Sequence, residues 1–227
     1  MKKNFMNAWC ARAWIKFASI LTFIMTAAIL FNNKNWSDEL KIIAAIAALI
    51  PVHVIEEWVF PGGFHFQYNL LFGSKQVDRY PMCRLSDMFT NLLATFFYIA
   101  MTVFFAFRGN VPSGALAGTA VFCALEVVIH TAMGIMMYFR FKSKGKTTIY
   151  GAGSITAYLG FGVIGILSLQ CLSSREIGKS DWFLCFGILA FIAVVCILIP
   201  ENLIKNKNSP YYFESAGYYE RFISKQK

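Results

Sequence analysis

Long apolar runs alternate with short charged connections along the whole chain. They cover about residues 17–31, 40–60, 88–107, 114–139, 149–171 and 182–199. A nearly uncharged stretch of roughly 18 residues or more can cross a ~30 Å hydrocarbon core as a helix. The pattern therefore predicts an all-α fold, a polytopic membrane helix bundle of about six transmembrane helices, forming a single membrane domain over residues 1–227. Lys2, Lys3, Arg12 and Lys16, with Trp9 and Trp14, precede the first run. That charged region is too long for a signal peptide and no small-x-small cleavage site follows, so an uncleaved first span with interfacial tryptophans is expected. In the second run Pro51 removes a backbone hydrogen bond and presses on the carbonyl of Ala47, which predicts a kink before His53. Pro61-Gly62-Gly63 ends that helix. Residues 61–87, rich in rings and charges, read as an interfacial segment or partial lid containing an interfacial His65.

Composition supports the bilayer. The 227 residues are 57% hydrophobic and 15% charged, whereas soluble domains carry roughly 25% charged residues. The formal net charge of +9 would suit nucleic acid if it formed a basic groove with stacking rings, but the cations sit in loops beside apolar runs, and no nucleic-acid partner is expected. With six spans, all lysines and arginines except Lys34, Lys41, Arg108, Arg175 and Lys179 fall on one side. The positive-inside rule then predicts an integral protein of the cell (plasma) membrane with both termini cytoplasmic. The six cysteines show no C-x-x-C spacing, which argues against zinc ribbons and disulfide frameworks. Cys171 and Cys185, flanking a loop on the far side, are the one pair placed for a disulfide.

Chemistry concentrates at His53-Val-Ile-Glu-Glu57. Ionisable groups inside a membrane span are expensive and mark function by default. His53 and Glu57, at i and i+4, share one helix face with Glu56 beside them, and Glu126 and His130 repeat the spacing on the fourth run. The second and fourth runs pass in the same direction, so both pairs lie toward the cytoplasmic half. Asn91, Tyr150, Ser154 and Thr156 begin runs at that level. Two histidines and three carboxylates suit zinc or a harder divalent ion. They also suit metal-free proton transfer or a structural hydrogen-bonded network, and Tyr150, Ser154 and Thr156 also suit a helix start. The metal version assigns His53, Glu57, Glu126 and His130 as ligands, Glu56 as general base or supporting partner, and Asn91 as an orienting group.

His53-Val-Ile-Glu-Glu57 resembles the motif for which the HXXEE-domain membrane proteins are named. The Glu126/His130 pair and the Tyr150-Gly-Ala-Gly-Ser-Ile-Thr-Ala157 segment are similar to further polar positions of that family, with Ala152 in place of proline. The resemblance covers most of residues 40–200; it implies a membrane placement and an important motif, and it supplies no substrate. CAAX-type intramembrane proteases also use paired glutamates, but no arginine follows Glu56-Glu57 at their spacing. Emopamil-binding-type sterol isomerases use membrane histidines and carboxylates, but their spans differ in number and order. The expected function is a membrane-embedded enzyme acting on a lipid or other hydrophobic, membrane-partitioned substrate near the cytoplasmic leaflet, and its metal-dependent version uses a divalent ion such as zinc. The alternatives are an ion- or proton-coupled transporter and a metal-free proton-transfer isomerase.

Overall fold

The apolar runs all fold as helices, and the described residues contain no strand. The computed structural model describes residue 6 and residues 8–224. Lys2, Lys3, Lys225 and Lys227, which enter the charge asymmetry, lie outside them, as does the side chain of Arg12. A π-helical turn at Trp9–Ala13 leads into α1 (Trp14–Phe31). Then follow α2 (Asp38–Trp58), α3 (Phe64–Leu71), α4 (Arg84–Arg108), α5 (Ser113–Phe141), α6 (Ser154–Leu172) and α7 (Lys179–Ile204). A tail with a short helix at Glu220–Ile223 follows.

Local signals explain the boundaries. Ser37 caps α2 by accepting a hydrogen bond from the Leu40 amide at 3.3 Å, and Asp38 and Glu39 complement the helix dipole. α2 continues through Pro51 to Trp58, and Thr22 of α1 donates to the Ala48 carbonyl at 2.9 Å. α4 begins four residues before its apolar run, because the Ser86 hydroxyl accepts from the Cys83 amide at 3.0 Å and closes the first turn. That early start brings Asp87 into the helix.

α2 lies at the centre, against α1, α4 and α6, while α5 packs on α6 and on the first half of α7. Lipid tails are as apolar as leucine, so helices in a bilayer gain from close packing at small residues. Ala44 and Ala47 of α2 are fully buried, and a Cβ on Gly118 of α5 would stand 3.3 Å from Ile188 of α7. The outside is apolar, with Phe23 75%, Leu203 81% and Phe107 89% exposed. Five helices are long and apolar enough to cross a membrane: α1, α4, α5, α6 and α7. α2 has 21 residues but carries charges at both ends. The chain is a membrane protein built as a helical bundle.

Residues 61–87, read as an interfacial segment or partial lid, fold as α3 and its flanking turns against the end of the bundle, and His65, expected at the interface, is buried there with Gln67 and Asn69. Asn69 shapes this connection, donating to the carbonyls of Val77 and Met82, each at 2.9 Å, and accepting from the Met82 amide. The tail covers it: Phe213 N donates to Asp78 O at 2.8 Å, Arg84 N to Tyr211 O at 2.9 Å, and Phe213 stacks on His65 with ring centres 3.7 Å apart. Burial there pushes the His65 imidazole down to about 3. Cys171 and Cys185, the pair to watch for a disulfide, are both free thiols.

Candidate functional site

The end of α2, the start of α4, the second half of α5 and the start of α6 meet at one end of the bundle. His53 and Glu57 come from α2, and Glu126 and His130 from α5. The Nε2 atom of His53 lies 3.2 Å from Glu57 Oε1 and 3.8 Å from Glu126 Oε2. The Nε2 atom of His130 lies 3.5 Å from the same Glu57 oxygen and 3.7 Å from the same Glu126 oxygen. The imidazoles meet edge to face, ring centres 4.8 Å apart. His53, Glu57 and His130 are buried and Glu126 is half-buried. His53, Glu126 and His130 can each offer one ligand atom within 4.8 Å of the others.

Hydrogen bonding fixes the tautomer of His53. Glu56 accepts through both oxygens: from Tyr150 OH at 3.1 Å, Ile155 N at 3.0 Å, Thr156 N at 2.8 Å and Thr156 Oγ1 at 2.6 Å. The Thr156 hydroxyl has one proton and gives it to Glu56, so at its 2.7 Å contact with His53 Nδ1 it accepts. A neutral His53 therefore carries its proton on Nδ1 and turns the Nε2 lone pair toward Glu57 and Glu126. Glu56 is thus an anchor between α2 and the α6 start, and it does not line the cavity in front of the histidines. Burial, and then the Glu56 carboxylate, push the Tyr150 phenol up, which keeps it a donor. Ser154 serves the helix start, its hydroxyl accepting from Gly151 N at 3.0 Å.

The turn before α6 lies directly on the imidazoles. Gly153 has φ +89°, and a Cβ there would collide with His130 Cε1 and fall 2.9 Å from His53 Cε1. The His130 Nδ1 atom, on this side, is buried without a hydrogen-bond partner of standard geometry.

On the other side of the cluster lies a cavity of about 150 Å³. Asn91 lines it and holds Asp87, donating to its Oδ1 at 2.8 Å and to its carbonyl at 3.0 Å. Asp87 Oδ2 accepts from the Trp58 indole at 2.6 Å. Tyr68 and Glu201 close another wall, the phenol donating to the carboxylate at 2.6 Å. Burial and Glu201 raise the Tyr68 phenol above its ordinary range, so it too stays protonated.

The structure thus brings together His53, Glu57, Glu126 and His130, sets Asn91 in the cavity wall through Asp87, and turns Glu56 to the α6 start. Sequence reasoning missed Asp87, Tyr68, Glu201 and Gly153. Asp87 had a signal: it stands four residues before Asn91, one turn away on the same face. No family model, curated protein or solved structure matches the chain.

Proposed function

We propose that His53, Glu126 and His130, with Glu57 beside them, hold a divalent metal ion such as zinc, and that the protein is a membrane-embedded enzyme acting on a lipid or other membrane-partitioned substrate. One observation carries this reading: two imidazoles and two carboxylates converge in one buried place. The Nε2 atoms of His53 and His130 each lie 3.2–3.8 Å from the same carboxylate oxygens of Glu57 and Glu126, and ligand atoms of His53, Glu126 and His130 all lie within 4.8 Å of one another. Such a buried arrangement is repulsive until something positive occupies it. Zinc bound at ~2.0–2.2 Å sets neighbouring ligands roughly 3.3–3.6 Å apart, close to these spacings.

A bound ion of this kind polarises a carbonyl or phosphoryl oxygen, or makes water a nucleophile near neutral pH. The chain's own residues do the rest. Thr156 and Glu56 fix the tautomer of His53. Glu57, whose close polar partners are the two imidazoles, is placed to accept a proton. Asn91, through Asp87, orients whatever enters the cavity. Positive charge in the loops at this end of the bundle supports a plasma-membrane protein with this end, and both termini, toward the cytoplasm. Metal analysis of protein purified without chelator tests the reading. About one ion per chain is expected, lost in His53→Ala and Glu126→Ala; wild type without metal would overturn it. A second reading rests on the same convergence, with a shared proton in place of the ion, as in a proton-transfer isomerase or a proton-coupled transporter.

A further inference from the structure

The cavity beside the cluster opens sideways. Through its first turns α5 is held tightly to the start of α7: a Cβ on Gly114 would run into the Asp181 carbonyl oxygen, and Gly118 abuts Ile188. Beyond that level α7 leans onto α4, where Phe191 stacks on Phe97 with ring centres 4.5 Å apart. The second halves of α5 and α7 make little contact with each other. Ile129 of α5 and Ile197 of α7 line the cavity in this gap and are 41% and 36% exposed. The mouth therefore lies between two membrane-crossing helices and is flanked by isoleucines, which suits entry from lipid.

Inside, the lining has an uneven charge. Glu57, Asp87, Glu126 and Glu201 face the cavity, and no lysine or arginine lines it. No arginine or lysine forms an ion pair with any of these four among the described residues. Glu126 and Glu57 belong to the metal cluster proposed above. Asp87, which accepts from Trp58 and Asn91, and Glu201, which accepts from Tyr68, are not among those ligands, and Glu201 lies one turn beyond Ile197 on α7. Carboxylates held out of water without a cation are costly, and they repel an anionic head as strongly as they attract a cationic one. A volume of about 150 Å³ equals roughly five waters at ~30 Å³ each, enough for a small head and too little for a two-chain glycerolipid body.

We infer that the cavity takes its substrate from the membrane through the α5–α7 gap, and that this substrate is a single-chain amphiphile with a protonated amino head. The head reaches Glu201 and Asp87 while the alkyl chain stays between Ile129 and Ile197. This rests on the membrane-enzyme reading and names its substrate class.

Native mass spectrometry of the full chain, released from detergent after incubation with hexadecylamine, hexadecanol, palmitate and hexadecyl phosphate at equal concentration, tests it. One hexadecylamine per chain is expected, retained about tenfold over palmitate and hexadecyl phosphate, an energy difference of about 1.4 kcal/mol. Glu201→Gln should erase most of that preference. Ile129→Trp, a surface change that fills the gap, should cut amine retention about tenfold, and Ile197→Trp should do the same from the other side. Equal retention of amine and anionic chains overturns the head assignment, and undiminished amine in both tryptophan variants overturns the route. The same spectra report metal as a mass increment. Metal retained without amine preference sinks this inference alone, whereas amine preference without metal sinks the metal reading alone.

Discussion

Thr156 decides what His53 can do, because its single hydroxyl proton goes to Glu56 and leaves the imidazole no choice of tautomer. Thr156→Val should lower zinc affinity about 10- to 100-fold, the usual range for removing a partner behind a metal-binding histidine, while Thr156→Ser keeps it. A competition titration with a zinc chelator reads the difference; equal affinities in Val and wild type would remove the tautomer argument. Gly153 exerts a cruder constraint. Its φ of +89° and the collision that any Cβ there would make with the His130 ring leave no room for a side chain. Gly153→Ala should cost about 2 kcal/mol or more and lose the metal, measured by thermal unfolding in detergent and by metal content. His53, Glu57, Glu126 and His130 were legible in the sequence because charge in an apolar run is costly at any register. Gly153 was not, since a glycine's φ and what faces it depend on the fold. Glu56 looked equivalent to Glu57, and only the position of the α6 start separates their roles.

At the scale of elements, α3 and the tail form the cover of the site's end of the bundle. Their junction is the stacked pair His65 and Phe213. The folded chain holds His65 near 3, below its ordinary 6.5. Between those values the unfolded chain binds a proton that the folded chain refuses, so this contribution to stability is intact above pH 6.5 and falls as pH drops through the window. Between pH 6.5 and 5.5 the loss is about 1 kcal/mol. His65→Phe keeps the stack and removes the proton, so its melting temperature should fall less than that of wild type over this range; parallel curves would show that His65 is not the sensor. The helices themselves were legible from apolar runs, and their ends less so. α4 starts a turn earlier than its apolar run because Cys83 and Ser86 close the first turn, which admits Asp87 to the cavity wall. α3 was hidden because its sequence carries rings and amides rather than an apolar face.

For the whole molecule, the succession of helices along the chain was readable, but their neighbours were not. In lipid the core-facing and outward-facing sides of a helix are both apolar, so periodicity loses its power to orient them, and the α5–α7 gap has no signature in the sequence. Contacts at the two ends show how often the chain traverses the bundle. Arg175, in the connection between α6 and α7, donates to the Val111 carbonyl at 2.9 Å and pairs with Glu39 at the start of α2, tying three connections together at the far end. At the near end the tail bonds to the connection before α4, and Tyr218 N donates to Gly62 O at 3.0 Å beyond the end of α2. α2 therefore covers the same depth as its neighbours, and if the five apolar helices cross the bilayer, it crosses too. Its charges are tolerable because Glu56 and Glu57 are enclosed by other helices while Asp38, Glu39 and Lys41 stand at the opposite end. Reporter insertion at Asn35, Asn110 and Glu176 should place all three outside, and insertion at Gly145 and Asn208 inside. A reporter at Asn35 on the same side as one at Gly145 would mean that α2 does not cross, and the shared depth of His53 and Glu126 would then need another account.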